Sequence, residues 1–273
     1  MNPRAEVPGV RWRQARRTWL WARDVLLGRR ARLVDAGRPR VPEPPPGWHC
    51  IGACTTGIRS RPELGEENAH RVHNMRLAAA MIHGVHLRAR EILSLSRLVG
   101  EPSGARGFRA GPVVFRGGLA SASGGGLCQI ATTLYGAALQ ADLEILEKHG
   151  HSSDLWGERR LAPLGADAVY VHLRKDLVLR NRGPSPTVLH LEVDEGGTAV
   201  TCRVWSPAPL AYEVRVAHEV LERIPSRLPS GRPGWLVRTT RSLVAGGRST
   251  VNYRRLDRYA PEGTQRRHRP RDP

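Results

Sequence analysis

The sequence is almost without lysine. Of its 43 basic residues only Lys148 and Lys175 are lysines and the rest are arginines, which against 25 acidic residues leaves a net charge of +18. Phenylalanine is nearly missing as well, at two of 273 residues, beside five tyrosines. With few rings to stack bases and no helix-turn-helix, RNP or zinc-finger spacing, the positive charge does not point to nucleic acid. It is spread along the chain and suits an anionic wall polymer or lipid headgroup at least as well. Long apolar runs are also lacking. The most apolar N-terminal stretch, Trp19 to Ala22, is cut by Arg23 and Asp24, too short for a signal-peptide core or a membrane span. On that ground the sequence reads as cytoplasmic.

Cysteine is scarce too. The four, Cys50, Cys54, Cys128 and Cys202, make no disulfide framework in a chain of this size. Cys50 and Cys54 share one face of an expected strand, too extended to bond to each other. His49 beside them has no second ligand pair at finger spacing, so no metal is expected. No cofactor motif is present either. These cysteines are expected in the core.

Glycine, by contrast, is concentrated where it matters. Gly124, Gly125 and Gly126 run straight into Leu127 and Cys128. Leu127, Ile130, Leu134, Ala137, Ala138 and Ala141 then recur at three- and four-residue steps, the stripe of a helix packed on a core. Cys128 falls in its first turn, among backbone N–H groups without intrahelical partners, whose partial positive charge favours a thiolate. The glycines allow a substrate backbone close approach to the sulfur. A small buried hydrophobe is the rival reading of such a cysteine. A phosphate loop is excluded, because no Gly-Lys-Ser/Thr follows.

The run GGGLCQIATTLYGAALQADLEILEKHGHS resembles the signature of the VanW family, with NAHRVHNMRLAAAMIHGVHL and ILSLSRLVG upstream and GADAVYV and KDLVLRN downstream. The resemblance covers about residues 48–205. It implies a cysteine L,D-transpeptidase-like role for Cys128 on peptidoglycan stem peptides, linked to glycopeptide resistance. The alternative it implies is a non-catalytic accessory protein that binds peptidoglycan or its precursors. The resemblance also makes His151 the expected base, ahead of His149, and Asp167 the acid that holds it, as in triads on unrelated folds. Backbone N–H groups of Gly126–Gln129 would form the oxyanion hole. Gly124, Gly125, Gly126, Gln129, Asn74 and Arg76 are the expected substrate contacts, the last two as positioners of a carboxylate. Cross-linking of this kind takes place in the cell envelope, at odds with the absence of an export signal. The chain departs from the family at Ala89-Arg90-Glu91, where a Pro-Gly-Glu turn is usual.

The rest of the chain fits an α+β class: one mixed-sheet domain with two main helices. Arg11–Leu27 reads as a basic amphipathic helix that either docks through its tryptophans or lies on an anionic membrane surface. The five prolines of Arg38–Gly47 make a stiff linker, so residues 1–47 are set apart from a core over 48–205. A β extension of the same domain is expected over 206–265, and a basic disordered tail over 266–273. Glu66–His83 should be the second main helix, with Val72, Met75, Ala79 and Ile82 as its inner stripe. Strands are expected at Trp48–Thr56, Ile92–Val99, Pro112–Arg116, Leu143–Glu147, Ala168–Leu173, Leu177–Asn181, Thr187–Val193 and Thr198–Trp205. The last two are joined by a hairpin at Glu195-Gly196-Gly197.

Overall fold

A computed structural model describes residues 10–115 and 118–264. Arg116, the last residue of an expected strand, and the tail expected over 266–273 lie outside the described residues. In chain order the elements are α1 (Val10–Leu26), β1 (His49–Gly57), α2 (Glu67–Ile82), β2 (Val85–Leu87), β3 (Ile92–Ser94), α3 (Leu95–Val99), β4 (Ala110–Phe115), β5 (Gly118–Ser123) and α4 (Leu127–Gln140). They continue with β6 (Glu144–Glu147), β7 (Val178–Arg180), β8 (Thr187–Val193), β9 (Ala199–Ser206), β10 (Glu213–Ile224), β11 (Gly234–Ala245) and β12 (Arg248–Tyr259). The class is α+β. Its strands form four antiparallel sheets, ordered β1-β9-β8-β2, β10-β11-β12, β3-β7-β6 and the hairpin β4-β5.

Helix α4 is the centre of the molecule. Its stripe is buried as expected, but so are Gln129, Thr132, Thr133 and Tyr135, so the helix is surrounded on nearly every side. It crosses β1 closely enough to explain a glycine in its middle. A Cβ on Gly136 would come within 2.4 Å of Cys54 Sγ, and one on Gly52 within 2.4 Å of the Ala141 nitrogen. Helix α2 packs against β8, β4 and α4, with Met75, Ala79 and Ile82 buried on its inner face.

Two expected strands are corrected. Ile92–Val99 is strand only to Ser94, whose hydroxyl accepts from the Arg97 N–H and starts α3, a serine N-cap overriding the apolar pattern. Ala168–Leu173 pairs only through an isolated bridge, Val171 to Lys175. Its polar groups are satisfied elsewhere: Ala168 N–H donates to Thr132 Oγ1 and Val169 N–H to the His149 carbonyl. Cys202 is buried as expected, whereas Cys50 is exposed.

The segment between α1 and β1 lies along the domain edge. Val41 donates to the Gly84 carbonyl at 2.8 Å and accepts from His190 at 2.9 Å, and Arg38 clasps Glu91. Helix α1 docks through arginines: Arg16 donates to the Leu173 carbonyl, Arg23 to Glu147, and Arg13 pairs with Glu101. Trp19 and Trp21 stay half exposed. The three-stranded sheet β10-β11-β12 is fastened to the far end of α4. Buried Arg241 donates to the Leu139 and Leu143 carbonyls at 3.3 and 2.8 Å, satisfying the end of a helix where cations are favoured.

Candidate active site

Three tight approaches by the glycine loop bring Cys128 to the floor of a cleft of about 430 Å³. Gly126, at φ 101°, leaves no room for a Cβ beside Arg71 Cγ, which would lie at 2.8 Å. A Cβ on Gly124 would strike Pro102 at 2.6 Å, and one on Gly125 the Gly111 carbonyl carbon at 2.5 Å. Gly125 therefore faces strand β4 rather than the cleft, which Gly124 and Gly126 do line. These glycines admit protein neighbours, a use of the missing Cβ different from the one expected.

Asn74 locks this loop. It is fully buried, donates to the Arg109 and Gly125 carbonyls at 2.9 and 3.1 Å, and accepts from the Arg109 N–H at 2.8 Å. It is not free to meet a substrate. Gln129 lines the cleft, but its amide nitrogen ties α4 to β1 through the Gly57 carbonyl at 3.0 Å and Thr56 Oγ1 at 3.1 Å. Arg76 is brought nowhere near the cleft. It is exposed on α2 and donates to the Asp194 and Glu195 carbonyls of the β8–β9 hairpin.

Cys128, His151 and Asp167 do converge. The Cys128 thiol donates to the Tyr170 carbonyl oxygen at 3.8 Å and lines the same cleft as His151, near enough for each to shift the other's pKa. His151 Nδ1 is 2.6 Å from Asp167 Oδ2, which also accepts the His151 backbone N–H at 2.8 Å. Asp167 thus fixes the ring and leaves its other nitrogen free to serve the thiol. The carboxylate's second oxygen accepts from the Tyr259 hydroxyl, which in turn accepts the Gly165 N–H at 2.7 Å. His149 serves elsewhere, 3.0 Å from Glu147.

Burial and charge oppose each other here. Burial alone pushes the Cys128 thiol up, but the His151 hydrogen bond and charge outweigh it and hold the thiol below its ordinary value. Burial likewise disfavours a charged His151, yet Asp167 and Cys128 raise it to about 10. Asp167 is held well below the usual carboxylate range: burial resists, and His151, Lys148 and Tyr259 prevail. Thiol and imidazole each favour the other's charged form, and the acid anchors the ring, the arrangement an activated nucleophile requires. Two uncommitted N–H groups belong to the same turn. Leu127 and Gln129 spend their N–H groups on the Gly124 and Gly126 carbonyls, whereas the N–H groups of Gly126 and Cys128 have no partner among the described residues.

Residues 70–205 match the family model described as VanW like protein. By that match the chain belongs to the VanW family. It is 27% identical over 169 residues to YoaR, an uncharacterized protein of Bacillus subtilis, covering 61% of this chain and 52% of the relative. It is 31% identical over 113 residues to the vancomycin B-type resistance protein VanW of Enterococcus faecalis, covering 41% of each. The chain thus spans about half or less of the length of these curated relatives. No solved structure matches it.

In this VanW-family chain, sequence reasoning missed the groups that hold the triad, two of them beyond the matched segment. Tyr259 ends β12, in a stretch whose alternation is weak and whose distance from Asp167 in the chain hides the contact. Lys148 is fully buried, donating to Asp257 Oδ2 at 2.7 Å. A lysine spared in a chain otherwise built on arginine was the available signal. Arg61, Arg71 and Trp156 on the cleft wall carried no signal beyond lying near or within the VanW-like segments.

Proposed function

We propose that this VanW-family protein is a cysteine acyl transferase of the L,D-transpeptidase kind, acting on peptidoglycan stem peptides and contributing to glycopeptide resistance. The observation that carries the reading is the convergence of Cys128, His151 and Asp167 in one cleft, with His151 held 2.6 Å from Asp167. The thiolate attacks a stem-peptide carbonyl, and the oxyanion that forms is met by the N–H groups of Cys128 and Gly126. His151 gives its proton to the departing amine as the tetrahedral adduct collapses to a thioester. An acceptor amine then attacks the thioester, loses its proton to His151, and leaves with the acyl group, which restores the resting pair. Tyr259 and the His151 backbone keep Asp167 ionised and aimed throughout.

The test is incubation with a disaccharide-tetrapeptide and mass spectrometry of the intact protein. A mass gain equal to the acyl fragment, mapped to Cys128 and missing from Cys128→Ser, is expected. A wild-type protein that stays unmodified although its Cys128 alkylates readily would sink the reading.

A further inference from the structure

The charges lining the thiol cleft do not balance. Its three carboxylates are each engaged: Glu101 with Arg13, Asp154 with Arg160 at 2.7 Å, and Asp167 with His151. Three guanidinium groups lining it, those of Arg61, Arg71 and Arg174, form no ion pair among the described residues; Arg174 lies over the Trp12 ring, away from the other two. Arg71 is only 6% exposed. One of its terminal nitrogens donates to the Arg59 carbonyl at 2.5 Å, and its Nε is buried with no hydrogen-bond partner. Its stem packs against Gly126, two residues before the nucleophile. Arg61 is fixed from below by the Trp156 ring, 3.3 Å from centroid to guanidinium carbon, and along its backbone by Asn68.

A buried arginine without an acid costs stability, since a charge withdrawn from water needs a partner. Burial lowers the pKa of Arg71, and burial together with the Arg71 charge brings Arg61 to about 10. Both strains are relieved by an anion with two oxygens in a plane, the shape that a guanidinium fork accepts. Among the described residues Glu63 partly offsets the Arg61 charge and no acid offsets that of Arg71, so the fold leaves the pair under-compensated.

We infer that Arg71 and Arg61 bind the free C-terminal carboxylate of the peptide presented to Cys128, so that the cleft selects carboxylate-terminated stems. This deepens the acyl-transfer reading and rests on it for the identity of the peptide, but the binding step itself needs no reaction. The carboxylate task expected of Arg76 passes to Arg71, five residues earlier on the same helix, with Arg61 beside it.

The probe is a stem tetrapeptide ending in D-Ala, prepared as the free acid and as the C-terminal amide. Binding is measured by calorimetry on Cys128→Ser, which holds the peptide without reacting. The acid should bind tighter than the amide by on the order of tenfold or more. Arg71→Met in the same background should abolish that preference while keeping or raising the unfolding midpoint, because an apolar stem replaces an unpaired charge. Arg76→Gln, which alters net charge away from the cleft, should leave the preference intact. Equal binding of acid and amide, or binding of neither, overturns the inference. So does an Arg71→Met protein that melts earlier yet still prefers the acid, since Arg71 would then serve only to hold the Arg59 carbonyl. Thioester formation on wild type is scored separately. Acid-selective binding without a thioester removes acyl transfer and leaves the anchor. Equal acylation by acid and amide removes the anchor and leaves acyl transfer.

Discussion

Cys128 sits where burial and a neighbouring histidine pull in opposite directions, and the histidine wins. A lowered thiol pKa means that the thiolate survives to lower pH. Iodoacetamide alkylation of wild-type Cys128 should therefore be well advanced below pH 9, where a free thiol of this kind is half ionised. His151→Ala removes the hydrogen bond and the charge that lower the pKa, so the alkylation curve should move to higher pH. Acyl transfer should slow by about 10²–10⁴-fold, the usual scale for loss of a general base. His149→Ala should leave the curve in place, its ring being engaged by Glu147. A curve that moves with His149 and not with His151 would assign the base wrongly. Because Cys50 is exposed, modification is read site by site by peptide mass spectrometry. Half-buried Cys54 and buried Cys202, both raised by desolvation, should stay unreacted in folded protein.

At the scale of elements, two backbone positions give opposite predictions. Arg90 occupies the place of a usual glycine and adopts φ 65°, a left-handed conformation that costs a side chain about 1–2 kcal/mol and glycine little. Its N–H is still held by the Asn181 carbonyl at 2.7 Å, so the turn is kept at the expense of strain. Arg90→Gly should stabilise the protein by up to about 1 kcal/mol, seen as an unfolding midpoint higher by about 2–4 °C. An unchanged or lower midpoint would contradict this. Gly125→Val should do the reverse. A Cβ there meets the β4 backbone at 2.5 Å, so the cost is about 3 kcal/mol or more, read as a large fall in midpoint together with lost alkylation selectivity. If the midpoint holds and only peptide binding is lost, Gly125 faces ligand after all.

The same scale shows what could be seen in the sequence and what could not. Both main helices and the cysteine at the start of α4 were legible, because apolar spacing and a glycine run are local signals. His151 and Asp167 were legible only through family likeness. Asn74 was misjudged because it lies on the flank of the α2 stripe, where periodicity alone does not distinguish solvent from a buried loop. Ala168–Leu173 looked like a strand because buried loops can be as apolar as strands when side chains and neighbouring carbonyls satisfy their N–H groups. The cleft arginines were illegible for a plainer reason: charge pairing is a property of three-dimensional neighbours.

At the scale of the whole molecule, the strands beyond Ser206 are part of the site. Tyr259 and Asp257 on β12 hold Asp167 and Lys148, and Thr239 on β11 donates to the Gly165 carbonyl at 3.2 Å. Tyr259→Phe deletes one hydroxyl and two hydrogen bonds, the loss at Asp167 being charge-assisted. It should lower stability by about 1–3 kcal/mol and move the Cys128 alkylation curve to higher pH as Asp167 loses its fix on His151. A shift in midpoint with no change in the curve would confine Tyr259 to a structural role.

The distance along the chain between Asp167 and Tyr259 has a consequence for the order of events during synthesis. A ribosome that has made the VanW-like segment has already supplied thiol, imidazole and carboxylate, but not the hydroxyl and the acid that secure them. Contacts so remote in sequence form late. The growing chain therefore carries its cysteine while more than a hundred further residues are added, before Tyr259 on β12 can hold Asp167. A chain stopped at residue 247 should accordingly resist alkylation at neutral pH, and a separately supplied β12 peptide that docks should restore it.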